Sequence, residues 1–173
     1  EIDAEGAAVP ELAESFEADA EARIWTFRLR GDATFADGRR VTAADVIASF
    51  NHHRGEDTKS GAKGSLAQVK DIRADGDGVV VFELTSGNAD FAYLTSDYHF
   101  VIMPAKADGT LDWQSGMGTG GYVLENFEPG VRIVLKRRDD YWKKDRAWFD
   151  TAELLTINDP TARQNALMTG EVD

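Results

Sequence analysis

Along Ile24-Trp25-Thr26-Phe27-Arg28-Leu29-Arg30, apolar and polar side chains alternate, placing Trp25, Phe27 and Leu29 on one face and Thr26 and Arg28 on the other. That period of two predicts a half-buried antiparallel strand. Upstream, Val9 to Phe16 carries Leu12 and Phe16 among polar residues and predicts a short strand or turn. Gly31-Asp32 closes the central strand, and Phe35-Ala36-Asp37-Gly38 supplies a turn in which Asp-Gly accepts a positive φ. The period then changes to that of a helix. Thr42 is placed to cap it, Asp45 stands three residues on in a capping-box position, and Val46, Ile47 and Phe50 form the apolar stripe. Gly55 to Ser65, rich in glycine, lysine and polar residues, predicts an exposed loop.

The strongest hairpin signal lies in Val69 to Ala74 and Val79 to Leu84, joined by Asp75-Gly76-Asp77-Gly78. Asn88 to Leu94 predicts a short helix through Phe91 and Leu94, and Phe100 to Met103, ahead of Pro104, a buried strand. A second hairpin is expected from Tyr122 to Phe127 and Val131 to Lys136 around Glu128-Pro129-Gly130. Leu154 to Ile157 reads as a further strand. Asp159-Pro160 opens a last helix with Ala162, Ala166 and Leu167 on one face. No internal repeat or low-complexity tract interrupts the series. Short strands in hairpins with two or three helices define a mixed α+β fold and not a βαβ series.

Composition narrows the possible partners. The 173 residues, 42% hydrophobic and 10% aromatic, suffice for one core, or one small lobe and part of another. A net charge of -12, with 19 basic against 31 acidic residues, argues against nucleic acid, which needs a clustered positive face. The absence of cysteine excludes disulfides and thiolate metal sites. No apolar run approaches the ~20 residues of a membrane span. The chain begins Glu1-Ile2-Asp3 without a basic and apolar leader and stops just past its last helix, so a segment of a longer chain is expected.

Candidate chemistry is sparse. His52 and His53 are adjacent on a helix and point apart, unlike ligands spaced i, i+4. Asp75 with Asp77, and Asp139 with Asp140, lack the spacing of a calcium loop and read as turns. No G-x-S-x-G elbow occurs, and Gly118 to Gly121 lacks the lysine and hydroxyl order of a phosphate loop. Acidic pairs are too numerous to single out a glycosidase dyad. Trp25, Phe27, Phe35 and Phe50 are spaced as core residues, and Trp113, Tyr141, Trp142 and Trp148 are expected to pack at a lobe boundary. No catalytic residue, metal ligand or cofactor is predicted.

Four blocks in order carry a resemblance to a known family. Val9-Pro10-Glu11-Leu12-Ala13-Glu14-Ser15-Phe16 leads into Trp25-Thr26-Phe27-Arg28-Leu29-Arg30, Phe35-Ala36-Asp37-Gly38 and Val41-Thr42-Ala43-Ala44-Asp45-Val46. Gly118-Thr119-Gly120-Gly121-Tyr122 follows, then Val131 to Leu135 with Arg137-Arg138-Asp139-Asp140-Tyr141-Trp142, and finally Ala166 to Asp173. The chain resembles the extracellular solute-binding proteins of family 5, the peptide, dipeptide and nickel-binding components of ABC importers. Gly121 stands where that family usually has proline, which loosens the turn.

The resemblance implies part of a two-lobe fold of the type II periplasmic binding protein kind. Residues 1–105 would form the small peripheral lobe and 106–173 a partial segment of the inner lobe, with the opposing lobe outside the chain. It further implies capture of a small solute, a peptide first, in a cleft, delivery to a membrane permease, and a periplasmic or extracytoplasmic location, without catalysis. Ligand contacts are expected at Asp97, Tyr98 and His99, in the connection that faces the cleft in the family; Tyr98 and His99 join an apolar face to a polar tip. An extracellular hydrolase, or a sensory module on the same fold, are the alternatives.

Overall fold

Trp25, Phe27 and Leu29 do share a face. They lie on β2 (Ile24–Leu29), the second strand of a four-stranded antiparallel sheet ordered β1-β2-β4-β3, with β1 at Ala13–Ala18, β3 at Val69–Ala74 and β4 at Val79–Leu84. Register puts Phe16 opposite Phe27, Phe27 opposite Val80, Trp25 opposite Phe82 and Ile72 opposite Phe82. Directly paired residues point to the same side, so one face becomes continuously aromatic and aliphatic. The computed structural model describes all residues from Glu1 to Asp173, and they form two compact units, Glu1–Gly120 and Gly121–Asp173.

In the first unit, α1 (Ala43–His52) covers that face through Val46 and Phe50, and Phe91 of α2 (Phe91–Leu94) fills the space between Trp25 and Phe82. Phe50 meets Phe82 edge-on at 5.0 Å and stacks on Phe100 at 5.0 Å. Offset and edge-on aromatic pairs add about 0.5–1.5 kcal/mol each beyond area burial. The core carries one cost, since Trp25 Nε1 is buried without a hydrogen-bond partner. The turn of the β3-β4 hairpin, with Gly76 at φ 77°, is also an anchor: the Asp77 carbonyl accepts the Ala43 N–H at 2.7 Å and the Gly78 carbonyl that of Leu29 at 2.8 Å. Phe35, predicted as core, is fully buried.

The start of α1 is fixed by Asp45, which is only 2% exposed. Its Oδ2 accepts from the Thr42 backbone N–H at 2.8 Å and the Thr42 hydroxyl at 2.7 Å, while Oδ1 accepts from the Ala105 N–H at 2.8 Å. Asp45 therefore joins the helix N-terminus to a residue sixty positions away.

The second unit contains a three-stranded antiparallel sheet, β5-β6-β7, with β5 at Tyr122–Glu128, β6 at Arg132–Arg137 and β7 at Thr151–Leu155, followed by α3 (Pro160–Thr169). Gly130, at φ 73°, makes the β5-β6 turn. Asp159 caps α3 by accepting the Ala162 N–H at 2.7 Å, and Pro160 takes the first turn, where its missing N–H costs nothing.

Several expectations are corrected. Phe100 to Met103 pairs with no strand; Phe100 is buried but Val101 is 58% exposed. β7 begins three residues before the predicted Leu154. Of the α3 face, only Ala166 is buried, and Leu167 lies exposed. The predicted loop over Gly55 to Ser65 ends in a 3-10 turn at Gly64–Leu66 and buries Ala62. Trp113 and Trp148, expected to pack, are exposed. Gly121 is not a loose turn, for a Cβ there would lie 2.7 Å from Ala147 Cβ and 2.8 Å from Tyr141 Cδ1; its glycine makes room for those side chains.

Replacing Asp45 with alanine leaves the Ala105 and Thr42 N–H groups without their carboxylate. The expected loss is about 3 kcal/mol of unfolding free energy, from hydrogen bonds to a charged group and a lost cap, measured by denaturant unfolding.

Candidate functional site

The segment from Thr95 to Ala105 follows α2 and runs beside α1. Its backbone groups must be satisfied even though no strand pairs with it. Two side chains on one stripe of α1, at positions i and i+4, meet this need toward its C-terminal end, and the C-cap residue at i+8 packs against it. Asp45 binds the Ala105 N–H, and Ser49 Oγ accepts the Met103 N–H at 3.1 Å and lies 3.3 Å from the Met103 carbonyl, as well as donating to the Asp45 carbonyl at 2.8 Å. His53 is that C-cap residue. Its ring packs edge-on against Phe100 at 5.4 Å, and its Nδ1 lies 2.6 Å from Ser60 Oγ. This polar stripe, interleaved with Val46 and Phe50, replaces the strand ladder that the apolar run Phe-Val-Ile-Met predicts.

At the N-terminal end of the segment, tight turns present Asp97, Tyr98 and His99. The Ser96 N–H donates to the Tyr93 carbonyl at 3.1 Å, the Asp97 N–H to Leu94 at 3.2 Å, and the Phe100 N–H to Asp97 at 2.9 Å. Asp97 Oδ1 accepts the His99 N–H at 2.9 Å and lies 2.6 Å from His99 Nδ1. The Tyr98 ring lies 4.0 Å from that of His99 and is 82% exposed.

The three predicted residues are thus together, but they face two hollows. Asp97 and Tyr98 line a cavity of about 410 Å³ whose floor reaches Phe16, Phe27, Phe50 and Phe82. His99 lines a more open hollow of about 690 Å³ with His52, His53, Lys59 and Ser60. The segment forms the ridge between an apolar pocket and a polar, histidine-lined one. Thr95 and Ser96 also border the apolar cavity. Ser96 belongs to the stretch Ser96-Asp97-Tyr98-His99 that the sequence suggests for binding; sequence reasoning did not single out Thr95, nor the spacing of Asp45, Ser49 and His53 that positions the ridge, and that spacing is the signal that was available.

Asp97 is held below the usual carboxylate range, first by the His99 backbone N–H and then by the His99 ring. No cluster of three or more His, Cys, Asp or Glu side chains is arranged to hold a metal, and no helix is long and apolar enough to cross a membrane.

The architecture, an antiparallel sheet and short helices leading into a second hairpin sheet, is that of the type II periplasmic binding proteins. A structure of the PBP AgaA from A. tumefaciens R10, in complex with agropinic acid, superposes with a TM-score of 0.87 at 30% identity, covering 97% of this chain and 35% of that one. The sequence matches the bacterial extracellular solute-binding proteins, family 5 Middle, over residues 7–173, and the chain belongs to this family. Protein XP55 of Streptomyces lividans is 31% identical over 157 residues, covering 87% of this chain and 28% of the relative. The probable D,D-dipeptide-binding periplasmic protein DdpA of Escherichia coli K12 is 30% identical over 173 residues, covering 94% and 33%. The chain therefore spans about a third of the length of these relatives.

Because its folded-state value is depressed, Asp97 contributes stability that is present above its ordinary value of 3.8 and is lost as pH falls through the lower folded value. Carboxyl NMR is expected to show Asp97 titrating below 3.8, with the His99 amide losing its hydrogen bond over the same range. A midpoint at or above 3.8 contradicts this account.

Proposed function

We propose that these residues form one wall of the solute site of an ABC-importer binding protein. The wall captures a peptide or a similar small solute outside the cytoplasm, for delivery to a membrane permease, without chemical conversion. The observation that carries this reading is the ridge at Asp97-Tyr98-His99, with an exposed tyrosine ring set at a tilt beside a histidine ring between an apolar and a polar hollow. Concave, mostly apolar sites with a few convergent polar groups are the usual form of small-ligand pockets.

Each residue has a role in that reading. Tyr98 offers a flat apolar face to the solute with a hydroxyl at its tip, and Asp97 supplies a carboxylate at the mouth of the apolar cavity. His99, braced by Asp97, presents its ring toward the polar hollow. Non-enzymatic capture agrees with a family of solute-binding proteins and with the dipeptide-binding name of DdpA. Residues 1–105 would belong to the peripheral lobe and 106–173 to the inner lobe. Relatives about three times as long leave ample chain for an opposing wall, and closure of that wall on the solute would stabilise the bound state through contacts made only when closed.

The test is calorimetric titration of the whole protein, with a peptide or opine found by screening, against its Tyr98→Ala and Asp97→Asn variants. Loss of an aromatic contact in a desolvated site costs about 2 kcal/mol, so Tyr98→Ala is expected to weaken binding roughly ten- to thirtyfold. Unchanged affinity in both folded variants would place the solute elsewhere.

A further inference from the structure

All three histidines of the chain converge on one hollow. His52 ends α1 and His53 caps it, His99 faces them from the ridge, and the 55–61 loop closes the remaining side. His53 sits among three segments. Its Nδ1 lies 2.6 Å from Ser60 Oγ in the loop, and its ring packs edge-on against Phe100 of the ridge. It is the third rung of the α1 stripe, after Asp45 and Ser49, and the rung whose charge changes near neutral pH.

The contact at Ser60 accommodates a neutral ring. Ser60 Oγ accepts the Ala62 N–H at 3.1 Å, and with Nδ1 unprotonated its hydroxyl proton donates to that nitrogen. A protonated Nδ1 would present a second donor to this oxygen and take away the acceptor of its O–H. The half-buried position adds the cost of desolvating a cation beside two other imidazoles. The charged groups around it are His52 on its own helix, Glu56, Asp57 and Lys59 on the loop, and Asp97 and His99 on the ridge.

We infer that His53 is a positioning residue, a neutral-imidazole clamp that holds the 55–61 loop and the Asp97–Phe100 ridge against α1 and releases them when it is protonated. Its titration is depressed from 6.5, chiefly by burial and then by the charges of His52 and His99, with the His99 backbone and Asp97 opposing. A histidine with a lowered folded-state value keeps its full contribution above the unfolded value. That contribution is lost as pH falls from 6.5 toward the folded value, well before Asp97 is protonated. That the clamp regulates solute binding rests on the function proposed above, whereas the clamp itself does not.

The experiment is residue-resolved amide hydrogen exchange on this 173-residue chain at about pH 7.5 and about pH 5, corrected for intrinsic rates. Ala62, His99 and Phe100 are read in the wild type, His53→Gln and His52→Gln, alongside imidazole titration by NMR. The expected result is a His53 midpoint below 6.5 and a several-fold loss of protection at the lower pH in wild type and His52→Gln. His53→Gln, which cannot titrate, shows the same protection at both pH values. A His53 midpoint at or above 6.5, or an equal loss in His53→Gln, overturns the clamp. Should His53→Gln not fold, the wild-type titration and the His52→Gln comparison still decide it. A clamp that fails here leaves the Tyr98 binding test untouched, and a failed binding test leaves these exchange rates unchanged.

Discussion

The buried carboxylate of Asp45 is the constraint on which the first unit depends. One oxygen completes the N-terminus of α1 and the other holds Ala105, so the helix and the chain beyond Pro104 take up a single mutual position. Ser49 repeats the connection one turn later at Met103, and the ridge leading to it follows. A carboxylate out of water is tolerated only when its lone pairs are used, and three donors here meet that condition. The aromatic core supplies the driving force for folding. The polar stripe of α1 decides where a segment lacking strand partners comes to rest.

This division explains what could be read from the sequence. Strands β2, β3 and β4 were legible because one face is buried, so alternation at Trp25, Phe27 and Leu29 reports the face directly, whereas β1 runs Ala13–Ala18 and not over the Val9 to Phe16 strand or turn that the sequence suggests. The cap at Thr42 and Asp45 and the Asp-Gly hairpin were legible because local chemistry dictates them. Phe100 to Met103 was not, because its composition is that of a strand while Phe100 bonds back to the Asp97 carbonyl and Met103 to the Ser49 side chain more than fifty residues away. Leu167 and the β7 boundary failed in the second unit, where burial is thin and apolar periodicity has little core to report. At Gly121 the governing fact is the approach of Tyr141 and Ala147, which no local pattern reveals.

Of the candidate site, the three ridge residues were legible mainly through family resemblance, with the apolar face and polar tip of Tyr98 and His99 as the chemical support, and no spacing marked them. The geometry adds how they are held. Tight turns after α2 orient Tyr98 outward, the Asp97–His99 pair stiffens the corner, and α1 fixes the segment behind it. A rigid helix presenting an irregular segment with an exposed aromatic suits the proposed role, in which the contact surface would be ordered in advance of binding.

The most direct test of the central claim, that this chain supplies one wall of a two-walled solute site, is a thermal-shift comparison of the whole protein and this 173-residue chain across short peptides, nickel chelates and opines. A solute at 100 times its dissociation constant stabilises the native state by about 2.7 kcal/mol. The account predicts a raised midpoint in the whole protein and none in the isolated chain. Equal shifts in both would contradict it, because the site would then be complete within these residues.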